Sequence, residues 1–305
     1  MPLISLTTYP VRDVLDILLQ DKTTKKNIIF ASNVFREHGL EFDEKSEITI
    51  NKLSCLNLRA RSEKAEEHQK NRTKEKAEVF TPSWLCNKMN NYFDIEWFQK
   101  VGVFNTEEEN HWKINTNKVT FPAGRTWKDY VDSRRLEITC GEAPFVVSRY
   151  DTTTGDTIPI PDRIGFLDRK LRIINENTDN EKEWLKWTER AFQSVYGYEF
   201  QGDSLLIARI NLLNTYVEYK QDRWGDKPDK KELKRIANII AWNFWQMDGL
   251  TKTVPCFQAE EEYHQMSLFE MMGIEEKEEV KQPYCKIYDW RAKESIEFKS
   301  ISTRG

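Results

Sequence analysis

The stretch RRLEITCGEAPFVVSRYD, Arg134 to Asp151, carries residue types that could hold a nucleotide. β-Formers from Leu136 to Thr139 lead into Cys140-Gly141, and Ala143, Pro144 and Phe145 suit a helix start. Strand, tight turn and helix is how many α/β proteins bring backbone N–H groups to a phosphate. This version is acidic, with Glu137 at the strand end and Glu142 in the turn. Negative charge there disfavours a nucleoside triphosphate or dinucleotide and is compatible with a cation. Later strand-like runs end in further carboxylates, Glu199 and Asp248. Each alone would be an ordinary surface acid; at successive strand ends of one sheet they would converge on a ligand.

The elements that must position these residues follow from periodicity. Apolar residues at 11, 14, 15, 18 and 19 predict an amphipathic helix over Val11–Gln20, followed by a strand-like NIIFAS. Arg59 to Glu78 is highly charged without an apolar stripe, which reads as a solvated helix or linker, or else as a basic arm near nucleic acid. In VFTPSWLCNKMNNYF, Thr81 would cap a helix, Pro82 would take its first position, and Leu85, Met89 and Phe93 share one face. Helices are expected from Gly165 onward, over Lys182–Val195 and over Asp203–Tyr219, with a strand at Tyr196–Phe200, and KKELKRIANIIAWNFWQMDGL reads as a helix running into a strand. Alternating strands and helices imply a mostly parallel sheet with helices on its faces. Asp162-Arg163 and Asp168-Arg169-Lys170 read as a solvated helix face, with phosphate contact as the alternative. Cys285 to Ile301 alternates about Ala292–Ser295, predicting a β-hairpin that completes the sheet edge, and Met266–Met272 a short apolar helix.

Composition limits what such a protein does. At 305 residues and 39% hydrophobic, 12% aromatic, the chain can bury a substantial core. Forty-six basic against fifty acidic residues leave a net charge of −4, so nucleic-acid contact would need a local patch. Five scattered cysteines without a CxxC pair, and four histidines, suggest neither a disulfide framework nor a zinc or other metal site. A reducing cytoplasm is the expected location, and no run of about 18 apolar residues suggests a membrane span.

Four segments in order carry a family resemblance: Phe80-Thr81-Pro82, Glu137-Ile-Thr-Cys-Gly-Glu-Ala-Pro-Phe145, Gly197-Tyr198-Glu199 with Ala208-Arg209-Ile210-Asn211-Leu212, and Gln246-Met247-Asp248-Gly249-Leu250. Over roughly residues 79–250 the chain resembles the γ-ordered DNA amino-methyltransferases, in particular the modification subunits of restriction-modification systems. The resemblance implies a Rossmann-like methyltransferase fold with S-adenosyl-L-methionine as cofactor. It divides the chain into a helical, charged N-terminal extension (1–78) and an α/β domain with a C-terminal hairpin (79–305). It also implies DNA as substrate, adenine N6 before cytosine as target, and a second restriction-modification subunit as a candidate partner. Glu137, with Cys140, Gly141 and Phe145 in its loop, would take the methionine ammonium or sulfonium region. Glu199 would accept from the ribose hydroxyls and Asp248 from the adenine amine, with Thr81-Pro82 over the methionine end.

Two departures matter. The family's second loop glycine is Ala143, whose side chain calls for a different or slightly strained turn. The family's Asn/Asp/Ser-Pro-Pro-Tyr/Phe segment, which holds the flipped base, has no counterpart. Asn243-Phe244-Trp245-Gln246 and Gln282-Pro283-Tyr284-Cys285 are the nearest imitations, making Asn243, Pro283 and Tyr284 the catalytic candidates. Buried strand and plain loop are their bland alternatives. A noncatalytic DNA-binding or assembly subunit therefore stands beside the methyltransferase as a second reading. No nuclease-like spacing supports a third.

Overall fold

The computed structural model describes residues 3–56, 58–63, 81–256 and 283–302. These residues form a mixed α/β protein with three small sheets. Helices α1 (Leu15–Leu18), α2 (Ile50–Cys55) and α3 (Ser83–Phe98) precede a hairpin of β1 (Asn105–Glu108) and β2 (His111–Ile114), then α4 (Trp127–Asp132). Strand β3 (Arg135–Glu137) leads to α5 (Phe166–Asn177) and α6 (Glu181–Gln193). Strand β4 (Val195–Glu199) leads to α7 (Gly202–Trp224) and α8 (Lys230–Asn243), which runs into β5 (Phe244–Gln246). A second hairpin, β6 (Lys286–Asp289) and β7 (Glu294–Glu297), ends in α9 (Phe298–Ser302).

β3, β4 and β5 pair in parallel in that spatial order, with Glu137 opposite Gly197 and Glu199 opposite Gln246. Every residue of β4 is buried, as a central parallel strand covered on both faces requires. Gly197 makes that packing possible: a Cβ there would lie 2.6 Å from the Phe244 ring. Long helices supply one cover. Asn180 caps α6 through Glu183 N–H, and Asp229 forms a reciprocal capping box with Glu232 at the start of α8. The other face carries Tyr196, Tyr198, Trp245 and Met247, which cluster with Val254, Cys285 and Ile287. The C-terminal hairpin thus lies against a sheet face as a separate two-stranded sheet, and does not extend the parallel sheet's edge as expected.

One apolar core runs from Ile4 to Phe244 and crosses the 78/79 boundary. Val11, Val14, Leu15, Leu18 and Leu19 are all buried, though a 3₁₀ turn at Val11–Asp13 and a break at Val14 replace the continuous helix. NIIFAS does not pair as a regular strand. The Gln246 side chain accepts from Ile29 N–H (2.9 Å) and donates to the Ile29 carbonyl (2.9 Å), standing in for a strand partner. A Cβ on Gly202 would lie 1.9 Å from the Ile29 carbonyl, so this segment sits directly on the start of α7.

One charged segment behaves contrary to expectation. Asp168, Arg169 and Lys170 are buried to 1%, 1% and 0% exposure, so the expected solvated face of α5 is core. Arg169 pairs with Asp94 at 2.5 Å and donates to Asn87 and Asn91, both at 2.8 Å; Asp94 also accepts from Arg135 (3.0 Å) and Tyr130 (2.8 Å). Lys170 donates to the Val131 and Ser133 carbonyls and to Ser194 Oγ, and burial pushes its ammonium well below the usual lysine range. The polar network accounts for α3, whose buried face is Ser83, Cys86, Asn87, Asn90, Asp94 and Phe98. Its apolar residues Met89, Tyr92 and Phe93 point outward, 46%, 62% and 49% exposed. Most of Arg59–Glu78, and the expected helix Met266–Met272, lie outside the described residues.

Candidate functional site

At the carboxyl ends of β3 and β4 the chain gathers most of the acidic and loop residues singled out above. Glu199 anchors the loop. Its Oε2 accepts from Gly141 N–H (2.8 Å), while Oε1 accepts from Phe200 (2.9 Å) and Gln201 (3.1 Å). Cys140 N–H continues the β3–β4 ladder onto the Tyr198 carbonyl (2.8 Å), so Cys140-Gly141 is held across both strand ends. Cys140 itself is buried, and its thiol is pushed well above the usual range by burial and then by the charges of Glu137 and Glu199.

The loop that follows is a series of turns, and the helix expected from Ala143 does not form. Thr139, Gly141 and Ala143 all take positive φ, at 47°, 53° and 65°. Ala143 is thus the strained position that its side chain predicted, costing about 1–2 kcal/mol relative to an ordinary conformation. The Phe145 and Val146 backbone amides lie where they favour the charged form of the Glu137 carboxylate. Glu137 Oε2 is buried and has no hydrogen-bond partner among the described residues. Burial raises this carboxyl well above the usual range; the two amides oppose the shift and the charge of Glu199 adds to it.

Glu142 has a different role from the one its sequence position suggested. Its carboxylate accepts from Arg61 N–H (2.7 Å) and Tyr150 OH (2.7 Å), while Asn211 donates to its carbonyl (3.1 Å) and to Tyr150 OH (3.0 Å). Glu142 therefore binds the loop to the N-terminal segment and to α7, and its charge is no guide to the ligand. Asn211 and Tyr150 acquire this supporting role only through the fold, because nothing in their spacing separates them from core residues.

The start of α3 lies beside the loop. Pro82, not Thr81, is the N-cap, without a side-chain cap bond, and Ser83 begins the helix. Asp151 accepts from Ser83 N–H at 2.6 Å, a carboxylate where the helix N-terminus favours one. The Thr81 carbonyl accepts from the Cys86 thiol (3.6 Å) and Thr152 OH (3.2 Å). The Cys86 thiol is pushed up by burial and by the nearby charges of Glu137 and Asp151, which places the first turn of α3 beside Glu137. Phe145 joins the same corner, its carbonyl accepting from Asn90 (3.0 Å).

Asp248 follows β5, one strand beyond Glu199, and is half-buried. Its Oδ1 accepts from Leu250 (2.8 Å) and Thr251 (3.2 Å), shaping a turn at the third strand end. The catalytic candidates are not brought together. Asn243 precedes β5, at the end of the sheet opposite the acidic loop. It is fully buried, donating to the Phe192 and Val195 carbonyls (both 2.9 Å) and accepting from Trp290 (2.8 Å). The fold thus holds Asn243 in the core, away from the acidic loop, with both amide hydrogens engaged. The Pro283 carbonyl accepts from Val254 N–H (3.3 Å), and Tyr284 OH accepts from Lys299 (2.6 Å) beneath whose ammonium its ring lies. Gln282 is outside the described residues.

Among the described residues no group of three or more His, Cys, Asp or Glu could hold a metal ion, and no helix is long and apolar enough to cross a membrane. No protein-family model matches the chain, and no curated protein or solved structure matches it significantly.

Proposed function

We propose that this chain binds S-adenosyl-L-methionine at the carboxyl ends of β3 and β4, in a half-sheet of the Rossmann-like type, and serves adenine-N6 methylation of DNA in a restriction-modification system. One observation carries the reading: a buried carboxyl with an unpartnered oxygen, Glu137 Oε2, beside a second buried carboxylate, Glu199. Crowded negative charge at a strand-end loop suits a ligand that brings positive charge. S-adenosylmethionine offers an ammonium and a sulfonium for Glu137. Its ribose diol could replace the Gly141 amide on Glu199, as acids take ribose hydroxyls in dinucleotide folds. Asp248, at the next strand end, would take the adenine amine. The cofactor's sulfonium supplies an activated methyl group; the residues named here bind and orient it.

The acceptor half of the reaction is where the second reading, a noncatalytic DNA-binding or assembly subunit, gains ground. Asn243 is consumed in the core, and the Pro283 carbonyl is already hydrogen-bonded. A methyltransferase needs a polar group and a stacking aromatic at the flipped base, close to the transferable methyl. Transfer of labelled methyl groups to DNA of mixed sequence separates the two: incorporation into N6-methyladenine by the purified chain supports the enzyme, and cofactor binding without incorporation supports the subunit.

A further inference from the structure

Helix α3 is inside out. Its polar face is buried around Asp94 and Arg169, and an apolar stripe faces solvent. Along that face Leu85, Lys88, Tyr92 and Ile95 recur at spacings of three and four, a row of three apolar residues and one lysine with the spacing at which two helices pack side by side. Tyr92 is 62% exposed at its centre. Phe93 lies 5.8 Å from the guanidinium of Arg135, which also pairs with Asp94, so this end of α3 borders the start of β3. Strand β3 has β4 on one side and no strand on the other among the described residues. Leu136 and, just past the strand, Ile138 are 44% and 63% exposed at that edge; they alternate with Arg135 and so face the sheet's other side. An uncovered edge strand beside exposed apolar side chains is a surface that folded proteins ordinarily cover.

We infer that this surface is a twofold interface with a second copy of the same chain, α3 packing antiparallel on its counterpart about Tyr92 and the open edges of β3 meeting beneath. The charge pattern selects a second copy over another occupant. In an antiparallel pair centred on Tyr92, Lys88 of one copy faces Glu96 of the other, and Glu96 faces Lys88; Met89 likewise faces Ile95. Lys88 and Glu96 are exposed, and neither has an ion-pair partner among the described residues. Self-complementarity of this kind is what an isologous contact requires. The inference stands apart from the cofactor reading, since it uses neither Glu137 nor Glu199.

Sedimentation velocity of the full chain between 1 and 100 µM is the test, with Lys88→Glu, Glu96→Lys, the double exchange, and Tyr92→Lys/Ile138→Lys. The wild type should be a dimer. Each single charge reversal should raise the dimer dissociation constant at least tenfold, the double exchange should restore it, and Tyr92→Lys/Ile138→Lys should give a monomer of unchanged melting temperature. A monomeric wild type at 100 µM would overturn the inference, as would a dimer indifferent to the charge reversals. Loss of melting temperature in Tyr92→Lys/Ile138→Lys with a monomeric wild type would instead show that the chain covers this face itself.

Discussion

Glu137 and Glu199 close two adjacent parallel strands, and the loop that follows Glu137 turns back across both, its Gly141 amide donating to Glu199 and its Phe145 and Val146 amides favouring the charged form of Glu137. The loop is therefore folded around two acids whose charges oppose each other. Protonation of Glu137 relieves that opposition, as a bound cation would.

Stability should carry the signature of that proton. The Glu137 carboxyl is raised well above 4.5 in the fold, so as pH rises the unfolded chain loses its proton first. Its contribution to folding is then most favourable below about pH 4.5 and declines as pH climbs toward the folded value, by up to about 1.4 kcal/mol per pH unit. Glu137→Gln should remove this decline. Urea denaturation of both proteins from pH 4 to 9 measures it, and parallel pH profiles would refute the assignment.

Asn243 should prove structural. Asn243→Ala leaves two buried carbonyls and the Trp290 indole N–H without their partner, and should cost about 2–4 kcal/mol. Cofactor affinity of the folded fraction should change less than twofold. Denaturant titration and calorimetry read the two effects separately; a stable variant that bound normally but lost methyl transfer would return Asn243 to the catalytic list.

Ala143 offers a third check. With φ at 65°, Ala143→Gly relieves about 1–2 kcal/mol of backbone strain but gives up a buried methyl worth about 0.8 kcal/mol and some chain entropy. The melting temperature should therefore move by no more than a few degrees in either direction. A large loss would mean that the loop depends on packing at this methyl rather than on its backbone shape.

Much of this fold was legible in the sequence because strong periodicity survives tertiary context. The helices over 166–177, 181–193 and 202–224, and the strand at Val195–Glu199, stand within a few residues of expectation. The failures share a cause: pattern assigns polarity to faces but not faces to the interior. On α3 the face Leu85-Met89-Phe93 is real, yet Asp94 and Arg169 satisfy each other inside and turn that face outward. Asp168-Arg169-Lys170 looked solvated for the same reason, since their partners lie 20 to 82 residues away in sequence. At the site, Glu137, Gly141 and Glu199 could be read from strand-end spacing, whereas Glu142 was misread because its partners, Arg61 and Tyr150, come from loops that leave no spacing signal.

Calorimetric titration with S-adenosyl-L-methionine tests the central claim most directly, using the wild type, Glu137→Gln and Glu199→Ala at pH 7.5. The wild type should bind at one site per chain. Both variants should bind at least tenfold more weakly. A folded wild type that gives no binding heat in any buffer, or binding that both variants retain, would contradict the assignment of this loop to the cofactor.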